Sequence, residues 1–77
     1  LYFFAENHTG FPTRAIGQVG GCVAPGWFLI SICTPDDTAL IAYAALVEVK
    51  RMEDWGFFLT LAAARDYKAR VCKARGH

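Results

Sequence analysis

Five cations, Arg65, Lys68, Arg70, Lys73 and Arg75, fall in the last thirteen residues of a 77-residue chain that has eight Lys and Arg in all. Basic side chains on successive turns, here with Tyr67 among them, could grip a phosphate backbone. On a helical wheel, however, Arg65, Lys68 and Arg75 cluster while Arg70 and Lys73 lie opposite, whereas nucleic-acid binders concentrate their cations on one surface. The five are therefore candidate contacts for an anionic partner of any kind. The acidic surface of a protein ranks ahead of nucleic acid or an anionic membrane. Residues 1–64 carry net −3 and residues 65–77 net +4, so the overall +1 conceals a polarity that would steer such a partner.

Other residue types with chemical potential do not converge in sequence. Cys22, Cys33 and Cys72 are an odd number without a C-x-x-C unit, which suits reduced structural thiols or one disulfide with a thiol left over. His8 falls in a turn-rich segment and His77 at the terminus, so neither is an obvious base for a thiol nucleophile. Asp36 and Asp37 are adjacent and would diverge on a helix; capping accounts for them. Gly17-Gln18-Val19-Gly20-Gly21 has the glycine content of a phosphate-binding loop without its spacing or a following Lys-Ser/Thr, so tight turns explain it. Asn7-His8-Thr9 is a formal glycosylation sequon. No set has metal-ligand spacing. The expectation is a chain without enzymatic activity, metal or cofactor.

The aromatic residues point to surface rather than catalysis. With 55% apolar residues and a mean hydropathy of +0.26, the chain is too apolar for disorder. It is also too small to bury everything apolar it contains, since a domain of this size hides only about 60% of its unfolded surface. A second copy, a protein partner or a membrane would cover the excess. Adjacent rings such as Phe57 and Phe58 diverge in either helix or strand, so one of them is left to face outward. Trp55, Phe57 and Phe58 are the candidate apolar interface.

These residues must be positioned by one domain, residues 1–77, because the length supports no more. Residues 1–14 read as a short apolar piece followed by the turn formers Asn7 to Arg14. Leu1-Tyr2-Phe3-Phe4 lacks the basic flank of a signal peptide, and a chain opening on Leu suits processing, a cloned fragment or an expression remnant alike. Trp27 to Cys33 is aromatic and β-branched, which predicts a buried strand, with Arg14 to Val23 as its antiparallel partner across Ala24-Pro25-Gly26. Gly20, Gly21, Pro25 and Gly26 interrupt the uncharged stretch from Ala15 to Pro35 and argue against a membrane-spanning helix there.

Thr34 and Pro35 predict a helix start, and the Ala- and Leu-rich run beyond them predicts a helix from Pro35 to Met52. A second helix is expected from an Asp54 N-cap through Ala62-Ala63-Ala64 to the basic end, residues 65–77. Alternation across Leu46 to Leu61 also permits a β-hairpin. The resulting expectation is an α+β domain, an N-terminal β-hairpin followed by two helices, with a mostly β meander and C-terminal helix as the alternative.

Functionally these features suggest a small binding or assembly module that self-associates through apolar surface. Two alternatives stand beside it. One is a membrane-active peptide. The other is a recombined or library-selected sequence without evolved biochemical function, suggested by the odd cysteine count, the Gly20-Gly21 pair and the uncovered apolar excess, all unlike idealised design.

Overall fold

The computed structural model describes the backbone of residues 1–33 and 40–76, and their side chains except those of 40–44. Five strands form one antiparallel sheet: β1 (Tyr2–Ala5), β2 (Ala15–Ala24), β3 (Trp27–Cys33), β4 (Leu40–Glu48) and β5 (Gly56–Phe58), in the order β4-β3-β2-β1-β5. A 3-10 turn, Val49–Met52, links β4 to β5, and one helix, α1 (Leu61–Ala74), follows the sheet.

The hairpin of β2 and β3 forms where turn chemistry places it. Ala24 pairs with Trp27 across Pro25-Gly26, and Gly26 has φ +81°, the left-handed value that a Pro-Gly type II turn requires at its second position. The glycines before it lie in β2 and not in a phosphate-binding loop. Gly17 pairs with Phe3 on one side and Ile32 on the other, and a Cβ there would run into the Ser31 carbonyl and the Phe3 ring. Close approach of a neighbouring ring is the reason for glycine at that position. Ala15 to Pro35 is thus mostly a hairpin, and no helix among the described residues is long and apolar enough to cross a membrane.

The expectation of a hairpin followed by two helices is overturned. Leu40–Glu48 is a strand, paired from Glu48 opposite Trp27 to Leu40 opposite Cys33, so the helix expected over Pro35 to Met52 is absent through its described part. Its expected start, Thr34 to Asp37, lies outside the described residues. Ala and Leu favour a helix only weakly, and the ladder offered by β3 outweighs that preference. The Leu46 to Leu61 hairpin is absent as well: β5 pairs with β1, Phe57 opposite Phe3, and not with β4. Nor does Asp54 cap a helix. Trp55 N–H donates to the Met52 carbonyl, closing a turn there, and the chain stays extended through Phe58.

The true N-cap is Thr60, whose hydroxyl accepts from the Ala63 N–H at 3.1 Å. At the other end Arg75 N–H bonds the Val71 carbonyl and Gly76, at φ +80°, bonds that of Lys73, a left-handed helix stop.

Alternation along β1 creates two cores. Phe3 and Ala5 point to one face, where Ile30, Ile32, Val47, Met52 and Trp55 complete a cluster flanked by Phe11, Val19 and Phe28. Phe4 points to the other, where Ile16, Cys33 and Ala64 meet under α1 with Tyr2, Phe58, Leu61 and Val71 around them. Phe3, Ile16 and Ile30 are fully buried, each contributing about 1.5–3 kcal/mol. The apolar N-terminal piece therefore supplies an inner strand of the sheet, between β2 and β5.

α1 packs mainly on β1, β5 and β2. Along β3, Ile30 faces the Trp55 core, so Leu29 faces the helix side, opposite Leu46 of β4. These two leucines are 38% and 55% exposed. On that face the sheet extends beyond its helical cover.

Candidate functional site

Structure distributes the five C-terminal cations instead of gathering them. Arg65 and Lys73 are exposed on α1, Lys73 in the last turn where it complements the helix dipole. Lys68 is half-buried. Arg70 is bonded to Asp66 one turn back, at 2.6 Å, a surface pair worth a few tenths of a kcal/mol. Arg75 leaves the helix end to meet Glu6 with two nitrogens, Nη2 donating to Oε1 at 3.0 Å and Nε facing Oε2.

That last contact belongs to a polar clasp that the sequence does not announce, because its members are up to 69 positions apart. Glu6 and Arg14 close the loop between β1 and β2: Arg14 N–H donates to the Glu6 carbonyl at 2.8 Å, and the Arg14 Nε lies 3.7 Å from Glu6 Oε2. Arg14 has φ +57°, a left-handed conformation uncommon outside glycine, and its Nε is buried without a hydrogen-bond partner. Its Nη1 reaches Cys72 Sγ of α1 at 3.8 Å. The clasp thus fastens the loop to the last turns of the helix. Its carboxylate faces two guanidinium groups, those of Arg14 and Arg75.

The three rings expected at an interface have separate fates. Trp55 is 8% exposed and stacks on Phe3 at 4.5 Å, so it is a core residue. Phe58 is half-buried with its ring 5.3 Å from Tyr67 of α1. Phe57, on the opposite face, is 43% exposed. It lines an apolar groove of 430 Å³ with Leu1, Val19, Phe28, Val49 and Met52, and Glu53 is the one ionisable side chain on its wall. The volume falls within the range of small-molecule sites, but such sites also carry several placed polar groups, and here one carboxylate stands alone.

A second, polar pocket of 260 Å³ lies near Trp55, lined by Glu6, Asn7, Arg51 and Asp54. His8 is not among the residues that line it. Its ring packs 4.5 Å from Phe11 and edge-on to Trp55, and desolvation there, with a smaller contribution from the Arg51 charge, lowers its pKa below the ordinary 6.5. At neutral pH the imidazole is neutral and serves as part of the aromatic wall.

No disulfide joins the cysteines: Cys22 is exposed, with its thiol 3.0 Å from the Ala24 carbonyl, Cys33 is buried and Cys72 is half-buried. Among the described residues, no three His, Cys, Asp or Glu side chains are grouped to hold a metal.

Of the exposed apolar residues that sequence reasoning missed, Leu46 and Val49 lie within the run read as a helix and Leu29 precedes it. The available signal was its lack of charge from Thr38 to Val47, which suits a strand as well as a buried helix. No protein-family model matches the chain, and neither does any curated protein or solved structure compared with it.

Proposed function

We propose that this chain is a folded scaffold without an evolved biochemical activity, a sequence of the kind that recombination or library selection yields once it meets the requirements of folding. The observation that carries this reading is the use made of its polar groups. Glu6, Arg14 and Arg75 hold the loop to the helix, and His8 lines an aromatic wall. The most apolar groove has only Glu53 to orient a ligand. The buried Arg14 Nε without a partner and the register shifts between Val19 and Ala24 are local inconsistencies of a fold that is adequate, not optimised. Backbone NMR spectra recorded with fragment mixtures and generic ester and phosphate substrates test the reading. Weak, non-saturating shifts near Phe57 are expected. A saturable one-to-one complex, or turnover lost on replacing His8 or Asp54, would overturn it.

A second reading, a non-enzymatic assembly module that self-associates, rests on a different observation: Leu29, Leu46, Val49, Phe57 and Leu59 expose apolar surface on a small domain. The exposed cations of α1, Arg65 and Lys73, would then be the contacts for an anionic partner. Sedimentation at several concentrations tests association. A monomer throughout, with no binding of an apolar dye, would remove this reading.

A further inference from the structure

The two edges of the sheet are unlike. β5 is three residues long, and a short edge resists stray pairing. β4 runs for nine residues, and the run Leu40 to Val47 contains neither charge nor proline, the usual guards of an open edge. Among the described residues no strand pairs with its outer side. Its ladder with β3 is regular from Ala44 to Glu48, and the register shifts between there and Leu40, so Ala44 to Glu48 is the flat part. Leu46 stands at its centre, beside Leu29, on the face that α1 leaves uncovered.

We propose that two copies of this chain join β4 to β4, antiparallel about a two-fold axis at Leu46, an inference that rests on the self-association reading. In this register Leu46 faces Leu46 of the second copy, Ala45 faces Val47, and Ala44 faces Glu48.

Three features select a second copy as the occupant. Antiparallel pairing of identical strands is self-complementary, so each outward N–H and C=O finds its counterpart across the axis. The strand's one charge, Glu48, meets uncharged Ala44, and the two carboxylates stand at opposite ends of the seam, so no like charges oppose each other. The row Leu29–Leu46 continues into its symmetry mate, and each leucine covers apolar surface that is bare in the monomer. The helices do not obstruct the joint, because each packs mainly on β1, β5 and β2, away from it. A specific interface needs about 1,000 Å². A short seam with one leucine row lies at the low end, so a weak, concentration-dependent dimer is expected.

Sedimentation equilibrium of the full chain, with its Leu46→Lys and Phe57→Lys variants, tests the seam. The wild type should dimerise, Leu46→Lys should weaken the dimer about tenfold or more, and Phe57→Lys should leave it unchanged. A wild type that stays monomeric overturns the seam and the self-association reading together. A dimer that survives Leu46→Lys but dissolves with Phe57→Lys overturns the seam alone and moves the interface to the groove.

Should Leu46→Lys fail to fold, Leu46→Cys in a Cys22→Ser, Cys72→Ser background gives a second readout. Directly opposed residues of paired strands lie about 4.5–5.5 Å apart at Cα, within disulfide reach. Mild oxidation should therefore link two copies readily, with Phe57→Cys as the slow control. Equal or slower linkage through Leu46→Cys overturns the proposed register.

Discussion

The two halves of the sheet are built from similar residues and covered very differently. β1, β2 and β5 are packed on both faces at Phe3 and Phe4, by the Trp55 cluster on one side and α1 on the other. β3 and β4 are packed on one face through Ile30 and Val47; on the other, Cys33 at the end of β3 joins the cluster under α1, whereas Leu29 and Leu46 are left partly exposed. The difference is one of reach. A 14-residue helix is about 21 Å long and 10 Å wide, enough for two or three strands spaced roughly 4.8 Å apart and not for five. A single helix on a five-stranded sheet leaves part of one face bare, and residues of the same type become core or surface according to which strand carries them.

The largest test of this contrast is removal of a side chain from the doubly covered half. Phe3→Ala should cost about 3–5 kcal/mol in urea unfolding, whereas Leu29→Ala should stay within about 1 kcal/mol. Comparable losses at the two sites would mean that the second half is covered too. Gly17→Ala probes the same half from the backbone. The added methyl collides with the Ser31 carbonyl and the Phe3 ring, and a loss of about 1–3 kcal/mol is expected by thermal denaturation.

The attachment of α1 gives smaller effects. Thr60→Ala removes the acceptor for the Ala63 N–H and should lower stability by about 1 kcal/mol. Arg75→Ala opens the clasp to Glu6, but the Arg75 side chain is half exposed, so a loss below about 1 kcal/mol is expected, shrinking further in high salt.

The smallest effect is on pH dependence. Because folding lowers the His8 pKa, the unfolded chain binds more protons near pH 6, and stability rises with pH through that window. The His8 share is present above the ordinary value of 6.5 and is lost as pH falls through the lowered folded value. Replacing His8 by Phe should flatten the acid limb of the unfolding midpoint. An unchanged limb would remove His8 as its source.

What could be read beforehand follows from how local each signal is. Pro25-Gly26 between two apolar runs specifies its turn through its own dihedral preferences, so the β2–β3 hairpin was legible. The Ala62-Ala63-Ala64 run and the basic end likewise marked a helix, although its N-cap proved to be Thr60. Leu40 to Glu48 was misread because Ala and Leu are compatible with either state, and the strand it pairs with, β3, is a separate segment that ends at Cys33. Trp55 to Phe58 was misread because its partner is β1, more than fifty residues earlier. The candidate surface shared this fate. Phe57 was legible as an exposed ring, while Trp55 was not legible as core, since the stacking partner Phe3 comes from that same distant strand.

By itself the sequence determined the single domain, the hairpin turn, the C-terminal helix with its cationic end, and an excess of apolar residues over what so small a body can bury. Those properties depend on composition and on contacts within a few residues. Only the tertiary structure decided that the apolar N-terminus is an inner strand, that Arg75 is held by Glu6, and that Leu29 and Leu46 lie beside an open edge. Each depends on which distant segments share a ladder or a face, and the free energy of that choice belongs to the pair of segments and not to either alone.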